Sequence, residues 1–202
     1  MRLLSYNDIP ITKRSLAYAN DFFERVSPVL IDCYKVDEMD IPSMRSAVKR
    51  QLIALYEAVD GDLEKQVVLD LGCGVVGGYE NENCSRNKRE FEPWLLRMLN
   101  HGNIRTIGVD NQSQKSELFE TYTADLSLEN SLLFLADLGI TIANSSGVIK
   151  SSTFNECGTA PEKLFYAMCG SLEQVLPTEG LFVIDRPNYL NLQPRPYFTQ
   201  TF

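Results

Sequence analysis

The stretch Val67-Val68-Leu69-Asp70-Leu71-Gly72-Cys73-Gly74-Val75-Val76-Gly77-Gly78 constrains the fold of this chain more than any other. A short, apolar, β-branched run is the pattern of a strand buried on both faces, and such strands belong to parallel sheets. Closely spaced glycines then let the backbone adopt positive φ and bring N–H groups up to a ligand with no Cβ in the way. Packing alone does not require that order of residues.

From residue 66 onward the same theme repeats as strands alternating with helices. Ile104–Val109, Tyr122–Ala124, Ile140–Ala143 and Leu181–Ile184 read as further strands. Pro93 opens a helix through Trp94, Leu95, Leu96, Met98 and Leu99, with Gly102 as its stop and the lone His101 at its cation-favouring end. Ser127 is expected to cap a helix through Leu128, Leu132, Leu133 and Leu135. Thr159 and Glu162 form a capping box ahead of a stripe at Leu164, Met168, Leu172 and Leu176. Strict alternation of this kind predicts an α/β, Rossmann-like, doubly wound, mostly parallel sheet with helices on both faces.

Residues 1–65 read as an N-terminal helical cap on a core spanning 66–186, with 187–202 as a short tail. One helix is expected over Arg14–Val26, stopping before Ser27-Pro28. A second follows Ile41-Pro42, carries Ala47, Val48, Leu52, Leu55, Tyr56 and Val59, and ends at Asp60-Gly61.

Composition narrows the function. A formal net charge of −8 without a dense basic block disfavours nucleic acid, whose affinity comes largely from neutralised phosphates. Five cysteines without a Cys-x-x-Cys pair, and one histidine, argue against a disulfide framework and a metal site. No apolar run approaches the ~20 residues that cross a bilayer, and the N-terminus lacks a signal-peptide core. A cytoplasmic protein with a small-molecule partner is the expectation, and a homodimer is an open assembly state.

Four of the five expected strands are followed by an acid: Asp70, Asp110, Asp125 and Asp185. In a parallel sheet these gather at one edge, where ligands bind near the topological switch point. If the ligand is a nucleoside carrying a cationic tail, three of these acids have separable roles: Asp110 suits vicinal ribose hydroxyls, since hydrogen bonds to a charged acceptor contribute ~1.5–3 kcal/mol each. Asp125 suits an exocyclic amine. Asp70 beside the glycine turn disfavours a phosphate and favours an ammonium or sulfonium.

At these residues the chain resembles the class I S-adenosylmethionine-dependent methyltransferases. The resemblance lies in Val68–Gly74, in Ile107-Gly108-Val109-Asp110, in Thr123-Ala124-Asp125-Leu126, in Ile142–Ile149 and in Leu176–Ile184, in the family's order. It implies S-adenosyl-L-methionine as cofactor. Gly72, Cys73 and Gly74 would line its methionine moiety, Asp110 would hold the ribose, and Asp125 with Leu126 would meet the adenine. Ser145 and Ser146 would lie near the methyl group, and Asp70, Gly77, Asn111 and Asn144 complete the cofactor-binding set.

Two features depart from that family. Val76 stands where a third glycine is usual, and the residues after Asp185 are too few for the usual sixth and seventh strands. The sheet is therefore expected to stop near five or six strands, or to be completed by a partner or a missing segment. Three readings stay open: a methyltransferase with a small-molecule acceptor, a catalytically silent S-adenosylmethionine-binding or regulatory module, and an NAD-binding oxidoreductase suggested by Gly72-x-Gly74-x-x-Gly77. No convincing general base is visible.

Overall fold

A computed structural model describes residues 1–35, 41–76, 92–112, 118–146, 148 and 161–185. It contains a single six-stranded, wholly parallel sheet. The strands are β1 (Arg2–Ser5), β2 (Val68–Leu71), β3 (Thr106–Asp110), β4 (Thr121–Thr123), β5 (Ile142–Ser145) and β6 (Leu181–Ile184), in the order β1-β6-β5-β2-β3-β4. The helices are α1 (Lys13–Tyr34), α2 (Ile41–Ala58), α3 (Trp94–His101) and α4 (Pro161–Val175). The α/β, doubly wound architecture is the expected one.

Two apolar layers sandwich the sheet. Val68, Ile142 and Val183 pack with residues of α1, α2 and α3, including Phe22, Phe23, Leu52, Leu55 and Leu99. Their strand neighbours Leu69, Ala143, Phe182 and Ile184 pack on the other side with Leu164, Phe165, Met168 and Leu172 of α4. The alternation follows from the two-residue period of a strand, and it places helices on both faces of the sheet.

The N-terminal segment departs from the expected helical cap. Arg2–Ser5 pairs with Leu181–Ile184 in parallel register, flanked by the Arg2 N–H to Gly180 carbonyl bond (2.8 Å) and the Tyr6 N–H to Ile184 carbonyl bond (3.0 Å). The strand beyond β6 thus comes from the start of the chain. Four residues of a half-exposed edge strand carry too little pattern to be read locally.

Helix α1 also runs past its expected stop at Ser27-Pro28. Its capping box joins Thr12 and Ser15. Its apolar stripe Ala19, Phe22, Phe23 and Val26 continues to the fully buried Leu30, so packing outweighs the proline penalty of ~3 kcal/mol. Ser27 Oγ donates to the Phe23 carbonyl at 2.6 Å in the disturbed turn.

A helix capped by Ser127 does not form. Asp125 Oδ1 instead accepts from Ser127 N–H at 2.9 Å and Ser127 Oγ–H at 2.6 Å, closing an Asx turn. A 3₁₀ helix follows over Leu133–Leu138. Only Leu132 and Leu135, three apart, are buried, while Leu128 and Leu133 are exposed.

The α3 boundaries fall where Pro93 and Gly102 put them, and α4 buries the expected Leu164–Leu176 stripe. Thr159 lies outside the described residues. Among the described residues, no helix is long and apolar enough to cross a membrane.

Candidate functional site

Chain order runs outward from β2 through β3 to β4, then crosses to β5 and β6 on the other side of β2. The switch point is therefore the seam between β2 and β5, the position where open α/β sheets form a ligand crevice at their carboxyl ends. Register puts Asp70 opposite Asn144 across this seam and opposite Gly108 on β3. Asp70 and Asn144 lie on the α1–α3 side, because each follows the strand alternation set by Val68 and Ile142.

The turn after β2 has the geometry that its glycines allow. Gly72 and Gly74 have φ of +67° and +94°, in the left-handed region that favours glycine. The Gly72 and Cys73 N–H groups donate to the Val109 carbonyl at 2.7 and 3.2 Å, lashing the turn to β3. Gly74 N–H donates to Asp110 Oδ2 at 3.1 Å, and Gln112 N–H donates to Asp110 Oδ1 at 3.4 Å. Asp110 thus organises the turn as well as facing it. A carboxylate oxygen can accept more than one hydrogen bond, which is the chemistry a ligand hydroxyl needs.

Cys73 is buried and packs close to Gly108, where a Cβ would stand 2.9 Å from its Sγ. This is a small-residue packing role. At Gly72 the neighbouring group is Val148, whose Cγ2 would lie 2.1 Å from a Cβ on that residue. The glycine here serves a close contact within the chain.

The seam itself holds a buried polar network. Asn144 Nδ2 donates to Asp70 Oδ1 at 2.8 Å and to Gln51 Oε1 of α2 at 3.2 Å. Tyr6, directly after β1, donates its hydroxyl to Asn144 Oδ1. Arg50 of α2 ties down the same segment, donating to the Tyr6 carbonyl and, at 2.8 Å, to the Ile9 carbonyl. Asn144 therefore lies inside the site as a support, with both ends of its amide engaged.

Electrostatics follow from this burial. Desolvation raises the Asp70 carboxyl to about 7; the Asn144 bond opposes that shift and the Asp110 charge adds to it. Burial likewise pushes the Tyr6 phenol well above its ordinary value, with the Asp70 and Asp185 charges adding to the shift. Tyr6 is then a hydrogen-bond donor at neutral pH and not a base. A carboxyl that titrates near neutrality beside a cation gives up its proton and becomes the counter-charge.

The other expected site residues are distributed unevenly. Asp125 is exposed beyond β4, Asn111 is exposed just after β3, and Leu126 is buried. Ser146 is half-buried. Ser145 is buried on the opposite face from Asn144, in register with Leu71 and Ile184, and its Oγ has no hydrogen-bond partner among the described residues. Gly77 lies outside the described residues. Sequence reading missed Tyr6, Gln51 and Arg50, whose roles depend on contacts across long chain separations and carry no local signal.

No protein-family model matches this chain, and no curated protein matches it. Fold and seam define its class: a Rossmann-like, doubly wound α/β protein with two buried carboxylates flanking a left-handed glycine turn at the switch point.

Proposed function

We propose that this chain is an S-adenosylmethionine-dependent methyltransferase acting on a small-molecule acceptor. The observation that carries the reading is the pairing of Asp70 and Asp110, both buried, on either side of the Gly72–Gly74 turn at the β2/β5 seam. A buried acidic pair of this kind favours a cationic nucleoside over a pyrophosphate, since a nearby opposite charge is what stabilises an ionised carboxylate out of water.

The donor set fits such a cofactor. Asp110 would hold the ribose, Asp70 would balance the positive charge, and Asp125 with Leu126 would border the base. The bound cofactor supplies an activated sulfonium methyl. The chain's share is positioning and exclusion of water, which can supply much of the rate. The phenol of Tyr6 stays protonated, so an acceptor that needs no strong base suits this site.

Titration calorimetry with S-adenosylhomocysteine tests the proposal. Binding is expected, and Asp110→Ala should weaken it by about tenfold or more, the loss of at least one charge-assisted hydrogen bond. No heat at high protein concentration would remove the reading, and an unchanged affinity in the variant would remove the ribose role.

Val76, standing where the resembled family has a third glycine, motivates a second reading, a cofactor-binding or regulatory module without turnover. Binding without methyl transfer across a broad acceptor panel would decide for it. NAD in the same titration tests the oxidoreductase reading, which the Asp70 charge disfavours.

A further inference from the structure

The hydrogen bonds at the seam have a direction. Tyr6 donates to Asn144 Oδ1, and Asn144 Nδ2 donates to Asp70 Oδ1. An asparagine side chain has two orientations related by a flip, and its partners decide between them. With Nδ2 toward Asp70, the amide stabilises the carboxylate. With Oδ1 toward Asp70, the amide would instead accept a proton from the carboxylic acid and stabilise the neutral form. The flipped state also turns the amide nitrogen toward Tyr6, leaving the buried phenol hydrogen without its present acceptor, which carries a desolvation cost.

We propose that Tyr6 is a positioning residue of the candidate site, donating to Asn144 so that the amide presents Nδ2 to Asp70 and favours the anionic form of that carboxylate, the form a cationic ligand needs. The role of the anion rests on the functional reading above; the orientation of the amide does not. The segment after β1 thus acts on the seam at a distance of 138 residues in sequence.

Every charged or titratable neighbour of this relay bears on the outcome. Asp110 on β3 faces Asp70 and disfavours its ionisation. Asp185 after β6 and Asp70 act on Tyr6 in the same sense, and both keep the phenol protonated. Arg50 of α2 acts on Tyr6 in the opposite sense. Gln51 is neutral and accepts from the same Nδ2 that serves Asp70. Among the described residues, Asn144 is therefore the group that favours the Asp70 anion.

The test is a carboxyl titration by carbon-13 NMR of the full, ligand-free chain labelled at aspartate, with the Asp70 signal assigned by its loss in Asp70→Asn. Tyr6→Phe should raise the Asp70 midpoint by about one pH unit, a tenfold change in proton affinity. Asn144→Leu should raise it as well, and the double variant should show no further rise, because Tyr6 acts through Asn144.

An unchanged midpoint in folded Tyr6→Phe, or a full additional shift in the double variant, would overturn the proposal. If the phenylalanine variant does not fold, 3-fluorotyrosine at position 6 keeps the ring and strengthens the donor, so the Asp70 midpoint should fall, and a midpoint that does not fall would overturn the proposal. S-adenosylhomocysteine binding measured against pH should follow the midpoint in each variant. A moved midpoint in a protein that never binds this probe would uphold the role of Tyr6 and reject the cofactor reading.

Discussion

Asp70 sits with its charge buried, and its neighbours only partly compensate. Its folded-state value of about 7 lies above the ordinary 3.8, so the folded chain holds this proton more tightly than the unfolded chain. Its contribution to stability is then fully present below the unfolded value and is lost as pH rises through the folded one. Asp70→Asn cannot ionise and keeps an oxygen to accept from Asn144. The variant should be more stable than the parent at pH 8, with the gap shrinking by roughly 2–3 kcal/mol on going to pH 5. Urea denaturation of both proteins at the two pH values checks this, and a gap independent of pH would place the burial cost elsewhere. At this scale the sequence was legible where chemistry and local order coincide: Asp70, Asp110 and the positive-φ glycines are all visible from a strand that ends in a turn. Asn144 was visible as a residue at a strand end, but its partners were not. Tyr6 and Gln51 reach it only after the chain has folded.

At the scale of elements, legibility followed the strength of the periodic signal. Helix α3 has the stripe and the flanking Pro93 and Gly102 that set its limits, and α4 buries its expected stripe, while its expected cap Thr159 lies outside the described residues. The leucines after Asp125 mislead because Leu128 and Leu133 fit an α-helical stripe yet stay exposed, while an Asx turn takes the cap and only the 3₁₀ spacing of Leu132 and Leu135 is buried. Helix α1 shows the opposite error. Pro28 is a strong local stop signal, but the burial of Leu30 two residues later carries the helix to Tyr34. Beyond the proline, Tyr34 lies over the guanidinium of buried Arg97, 4.2 Å from ring centre to charge, so the last turns of α1 hold α3. Pro28→Ala should therefore restore a backbone bond to the Glu24 carbonyl and stabilise the chain by about 1–3 kcal/mol. Denaturant midpoints measure the gain, and a loss of stability would mean that the packing around Pro28 depends on the ring.

The whole molecule depends on a contact that no local pattern announces, the pairing of its first strand with its last described one. Without β1, the apolar strand Leu181–Ile184 would become the edge of the sheet, and an unprotected apolar edge is a template for pairing with another chain. β1 is suited to the edge position because it is short and half-exposed, with Arg2 outermost. The same strand delivers Tyr6 to the seam, so sheet closure and the support of Asp70 are coupled through one segment of chain. A chain lacking residues 1–5 should accordingly show two linked defects: a lower denaturant midpoint, and self-association detectable by light scattering at concentrations where the full chain remains dispersed. The Asp70 titration should shift upward in the same truncated protein, as it does in Tyr6→Phe, because Tyr6 loses the Ile184 carbonyl bond that anchors it only when β1 is in register. A truncated chain that stays dispersed and keeps its Asp70 midpoint would show that Arg50 and α2 hold Tyr6 without the strand, since Arg50 grips the carbonyls of Tyr6 and Ile9 from the helix side. The two outcomes separate a site built on the sheet from one built on the helical layer.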